Sequence, residues 1–89
     1  MTLEQKAEIA FREAEKQAAE EYPGNKVVRV RKFAKFRDFD VFGKVLEKEI
    51  RDEEIVLSSV VGIGVNDSGK VRLIFPQDLG EMTEESDET

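Results

Sequence analysis

The sequence predicts a small α+β domain of order α-β-α-β-β, with two helices packed on a three-stranded sheet that ends in a C-terminal hairpin. Three observations predict it. Residues 3 to 21 carry apolar side chains at helical spacing. Residues 40 to 53 can place Phe42, Val45, Leu46 and Ile50 on one helical stripe. Residues 55 to 65 and 70 to 75 alternate as two strands around a turn. With 89 residues there is room for one domain at most. A chain this short buries only roughly 60–65% of its unfolded surface.

The first helix rests on Leu3, Ala7, Ala10, Phe11, Ala14 and Ala18, which share one face. Thr2 followed by Gln5 has the form of a capping box, and Glu8 with Arg12 sits four apart in the favourable order. The small alanines suggest close approach to a sheet. Pro23-Gly24-Asn25 ends the helix. Residues 27 to 34 then read as a strand, with Val28 and Val30 on one side and Arg29, Arg31 and Phe33 on the other. Lys32 would face the core, so an edge position or a bulge is expected near it.

Residues 40 to 53 allow two assignments. As a strand they put Phe42, Lys44, Leu46, Lys48 and Ile50 on one face, with two lysines among apolar groups. As a helix they separate the stripe from Lys44, Glu47, Lys48 and Arg51, with Asp40 as cap. The helix is preferred, although Gly43 costs it about 1 kcal/mol. The alternative is a helix followed by a four-stranded antiparallel meander. In the final hairpin, Ile55, Leu57, Val61, Ile63 and Val65 line one face. Asn66-Asp67-Ser68-Gly69 has turn chemistry, and Val71, Leu73 and Phe75 return before Pro76.

Charge divides the chain. It holds 20 acids and 14 bases, for a net charge of -6. Residues 78–89 contain six acids (Asp78, Glu81, Glu84, Glu85, Asp87, Glu88) and no base, so residues 1–77 are neutral. The organisation expected is a folded domain over 1–77 and an acidic, disordered tail over 78–89. There is no cysteine, which suits a reducing, cytoplasmic compartment. The opening MTLEQKAEIA lacks the apolar block of a signal peptide or membrane anchor, and no membrane partner is expected.

Catalysis finds little support. Without histidine or cysteine the common acid–base and nucleophilic pairings are missing, so no enzyme, cofactor or metal centre is expected. Ser58 and Ser59 have no basic partner in sequence. Gly62-Ile63-Gly64 imitates the start of a dinucleotide fingerprint, but Asp67 stands where the third glycine belongs, and strand packing explains the pair more simply. Asp38 and Asp40 could hold a hard cation, yet a helix cap accounts for Asp40.

The distinctive feature is KVVRVRKFAKFR, residues 26 to 37: six cations, two phenylalanines and no acid. Arg29, Arg31 and Lys35 would project around Phe33, with Lys26, Lys32 and Arg37 widening the footprint. Such a surface neutralises phosphates, and an exposed ring can stack on a base. The expected function is therefore nucleic-acid binding, to DNA or RNA, moderated by the acidic tail. The site residues are Lys26, Arg29, Arg31, Lys32, Phe33, Lys35 and Arg37. The competing explanation is a solvated or paired charged face on a protein-interaction or inhibitory module. Exposed sheet edges also lead us to expect a homodimer.

By element order and charge pattern, the run from Val28 to Pro76 resembles the Alba-like nucleic-acid-binding proteins. The resemblance implies a dimer gripping DNA or RNA through Arg29, Arg31 and Lys32 at a basic strand end, and through Lys35 and Arg37 in a loop before a helix. The helix, Pro-Gly turn and strand also look like PepSY-type inhibitory or binding modules.

Overall fold

The computed structural model of the chain describes residues 1–21, 23–24, 26–47 and 60–84, the last without its side chain. Helix α1 (Leu3–Glu21) precedes five strands: β1 (Val27–Phe36), β2 (Phe39–Leu46), β3 (Gly62–Val65), β4 (Val71–Ile74) and β5 (Met82–Glu84). A 3-10 turn over Pro76–Glu81 links the last two. The strands form one antiparallel sheet in the order β4-β3-β2-β1-β5, curled into a half-barrel.

This corrects the predicted two helices on a three-stranded sheet. Residues 39–46 form a strand where a helix was preferred. The helical assignment rested on keeping lysines off an apolar face. In the sheet, Phe42 and Leu46 do face α1, and the half-buried Lys44 lies between them, across from Val30. A lysine stem can lie along apolar surface while its head reaches water. A strand also buries both of its faces, covering Phe39 and Val41 as well as Phe42 and Leu46, which a one-striped helix could not do. The alternative, a helix followed by a four-stranded antiparallel meander, describes α1 and β1–β4; it misses β5, which joins the outer side of β1. Lys48, Ile50, Arg51, and the predicted strand residues 55–59 with Ser58 and Ser59, lie outside the described residues.

The helix forms as its sequence dictates. Thr2 N–H donates to Gln5 Oε1 (2.9 Å) while Gln5 N–H donates to Thr2 Oγ1 (3.2 Å), closing the capping box. Ala10, Ala14 and Ala18 are buried against Val27, Phe42, Leu46, Ile63 and Val65; their small side chains let the helix lie close to the strands. The opposite face of the sheet has its own cluster, built from Ala34, Phe36, Phe39, Val41 and Ile74, with Phe33, Val61 and Met82 packed on it.

Glycines make room for that second cluster. A Cβ on Gly62 would sit 2.6 Å from a Val41 methyl and 3.3 Å from the Phe33 ring; one on Gly64 would sit 3.0 Å from Phe39 Cβ. The Gly62-Ile63-Gly64 run is thus a place where rings lie directly on backbone. At the β3–β4 turn, Gly69 has φ +80, and the Asn66 side chain accepts from Ser68 N–H (3.0 Å) and Lys70 N–H (2.9 Å).

Part of the acid-rich segment belongs to the sheet. Met82 pairs with Phe36, Thr83 with Lys35 and Glu84 with Ala34. Met82 contributes to the second apolar cluster, which gives the chain an apolar reason to stay after residue 77. Residues 85–89 lie outside the described residues.

Candidate functional site

β1 carries most of the predicted basic site, and its register decides where each cation points. Arg29 lies across from Val45 and Arg31 across from Gly43, so both share the face away from α1. The register slips between Val27 and Arg29 and again between Lys32 and Ala34. The second slip is the bulge that the inward Lys32 suggested. It leaves Phe33 without a partner on β2 and moves Lys35 onto the helix side, across from Asp40.

The seven predicted residues therefore separate. Lys26, Arg29 and Arg31 are exposed. Lys35 is half-buried. Phe33 is also half-buried, with its ring 3.4 Å from a Cβ position on Gly43 and 3.3 Å from one on Gly62. It fills the second apolar cluster and does not stand out as a stacking platform. Lys32 reaches Asp40 at 3.3 Å, with its side chain only 14% exposed. Arg37 is exposed but engaged: its guanidinium donates to Glu81 at 2.9 Å and lies 5.0 Å from the Phe36 ring centroid. Arg72 takes a similar place 4.8 Å from the same ring and faces Asp78 at 3.6 Å.

Beneath the N-terminal part of α1 is a charge network that the sequence does not suggest. Lys6 Nζ contacts Asp40 Oδ2 at 2.7 Å and Asp67 Oδ1 at 2.6 Å, while Lys32 approaches the other Asp40 oxygen. Lys6 and Asp40 are both buried. Hydrogen bonds to Asp40 and then Asp67 raise Lys6 above its ordinary value, against the pull of burial. Burial pushes the Asp40 carboxyl up, but the hydrogen bonds from Lys6 and Lys32 outweigh it and hold the group below the usual carboxylate value. The hydrogen bond from Lys6 likewise lowers Asp67. Asp40 is thus a buried counter-ion and not a helix cap. The four charges cancel, which leaves Lys32 little to offer an outside anion. Lys6 and Asp40 are far apart in sequence, so no local spacing announces the pair.

The edge of β1 supplies the other half of the site. Among the described residues, β5 covers Ala34 to Phe36. Among the described residues, no strand pairs with the outer side of Val27–Phe33. Such an edge can accept an added strand.

Other candidates carry less. No group of three acidic side chains gathers as a metal site among the described residues. No helix among them is long and apolar enough to cross a membrane. Gln17 is buried, and neither its amide nitrogen nor its oxygen has a partner among the described residues. Comparison with family models, curated proteins and solved structures finds no match. The helix that the Alba-like resemblance requires after the basic segment is β2 in this chain.

Proposed function

We propose that the domain binds an extended acidic polypeptide segment, laid as an added strand beside Lys26 and Arg29 at the start of β1, where no described strand pairs on its outer side. One observation carries this reading: among the described residues, no strand pairs with β1 beyond Ala34–Phe36 on its outer side, and the exposed cations Lys26 and Arg29 lie in that part. An added strand would satisfy edge N–H and C=O groups at about 1 kcal/mol net per hydrogen bond. Arg29, exposed on the face away from α1, would meet an acid at the facing position of the incoming strand.

Nucleic-acid binding is a second reading, favoured by the same exposed cations. Its footprint is smaller than the sequence suggested. Lys32 and Arg37 already have carboxylate partners and Phe33 is packed. Three phosphate contacts would give a slope of log K against log salt near roughly -3 for a duplex.

Titration of the full chain with a labelled octapeptide of alternating Glu and Val, and separately with single- and double-stranded oligonucleotides, separates the two. We expect saturable peptide binding that is lost in the Arg29→Glu, Arg31→Glu double variant. Oligonucleotide binding with a salt slope near -3, and none of the peptide, would replace the first reading with the second. Binding of neither would remove both.

A further inference from the structure

The far end of the sheet has an edge of a different kind. β4 is the last strand in the order β4-β3-β2-β1-β5, and among the described residues no strand pairs with its outer side. Its ladder to β3 fixes which backbone groups face out. Asn66 N–H donates to the Lys70 carbonyl (3.1 Å) at the turn, and Val61 N–H donates to the Ile74 carbonyl (2.7 Å) at the other end. Antiparallel strands alternate the direction of these groups from residue to residue. Arg72 and Ile74 therefore turn their backbone groups toward β3, and Val71 and Leu73 turn theirs outward. Phe75 N–H, the next outward donor, is taken by Asp78 Oδ2 at 3.0 Å. On the turn side, Gly69 N–H donates into the loop, to the Asn66 carbonyl at 3.0 Å. The open window is Val71 and Leu73, closed at both ends by the chain itself.

The side chains say what fits there. Val71 and Leu73 are half-buried and pack with Ile9 on the helix-side cluster. On the other face Ile74 is buried, and the Arg72 guanidinium is directed to Asp78 (3.6 Å) and the Phe36 ring (4.8 Å). The window thus offers apolar side chains and a cation already answered, unlike the start of β1 with its exposed Lys26 and Arg29. Its complement is short and apolar, with outward groups on alternate residues. β4 itself meets that description. We propose that β4 pairs antiparallel with β4 of a second copy, Val71 across from Leu73, about a two-fold axis at Arg72. Each Val71–Leu73 pair then exchanges both N–H···O bonds. The apolar side chains line up on the helix side, flanked by Ile9 of each copy. Arg72 falls across from its own counterpart, and its Asp78 and the Phe36 ring draw each guanidinium aside. A four-residue strand is a small interface, so the association is weak. It does not rest on the function proposed above, which uses the other edge.

Sedimentation equilibrium and amide exchange by NMR on the full chain test it together. As concentration rises from micromolar to millimolar, we expect the average mass to move from one chain toward two. Over that range the Val71 and Leu73 amides should slow by about tenfold, while those of Arg72 and Ile74, already turned to β3, stay unchanged. Val71→Pro removes an outward donor and no bond to β3, so it should stay monomeric with an otherwise native spectrum. Arg29→Glu should associate as the native chain does. The mass of one chain at every concentration overturns the proposal. So does a dimer in which Val71 and Leu73 exchange as fast as in the monomer, a comparison that needs no variant to fold. Slow exchange of these two amides in the dilute monomer also overturns it, by showing the edge covered within the chain. Slowing of them by the labelled Glu/Val octapeptide, without self-association, gives the edge to an acidic segment instead of a second copy.

Discussion

Lys32 and Arg29 occupy the same strand three positions apart, yet the fold uses them in opposite ways. Lys32 turns under α1 and joins Lys6, Asp40 and Asp67 in a charge-balanced network. Arg29 turns to the other face, at an edge no described strand covers, and is exposed. The difference teaches that a cluster of cations in sequence is not yet a cationic surface. Strand parity, one bulge and the nearest carboxylate decide which charges remain available. Lys32 belongs to the buried network, and the edge beside Arg29 is where we propose that an outside partner acts.

The strongest way to break this comparison is to remove Asp40. Asp40→Ala leaves Lys32, and half of the Lys6 pairing, facing a buried gap. We expect a loss of about 3 kcal/mol in urea denaturation, against no measurable change for Arg29→Ala. Equal costs would mean that the two regions do not differ as described. The same network fixes a pH dependence. Because the folded Asp40 value lies below the unfolded one, its contribution is present above the ordinary carboxylate value and lost as pH falls through the depressed one. Because the folded Lys6 value is raised, its contribution is present below the ordinary lysine value and lost as pH climbs through the raised one. Thermal midpoints across pH should therefore show an acid limb that Asp40→Asn flattens.

The second apolar cluster makes the next test. Gly62→Ala drives a methyl to within 2.6 Å of Val41 in a packed interior, and we expect a cost of about 2 kcal/mol. Gly80, with nothing near its Cβ position, should tolerate alanine within about 0.5 kcal/mol. If both behave alike, the rings do not lie on the β3 backbone as described.

Gln17 should work in the other direction. Its amide is buried with no partner among the described residues, so Gln17→Leu is expected to stabilise by about 1 kcal/mol in the same assay. A loss instead would show that the amide is satisfied in solution. The smallest effect belongs to Arg37. Its bond to Glu81 is solvent-exposed and screened, so Glu81→Gln should leave the denaturation midpoint unchanged, and a clear drop would show the pair to be structural.

Much of the local structure was legible in the sequence. The capping box at Thr2 and Gln5, the alanine face of α1 and the Asn66–Gly69 turn are set by neighbours a few residues away, so spacing alone reveals them. The bulge near Lys32 was legible because a lysine on the core side of a strand needs an exit. The assignment of residues 39–46 was not. Its apolar pattern satisfies a helical stripe as well as a strand, and only cover on both faces, from α1 and from the Phe36 cluster, favours the strand. The candidate site divided on the same ground: the sequence could count six cations, but not foresee that Asp40 and Glu81 would take two of them.

What the sequence by itself determined is therefore local: where α1 begins, where the chain turns, and which strand holds the positive charge. Tertiary structure alone decided that β2 is a strand, that Lys6 meets Asp40, and that β5 pairs with the Ala34–Phe36 end of β1. The physical reason is range. Caps, turns and periodicity are settled within a few residues, whereas burial on two faces and the pairing of distant charges exist only after the sheet has closed around the helix.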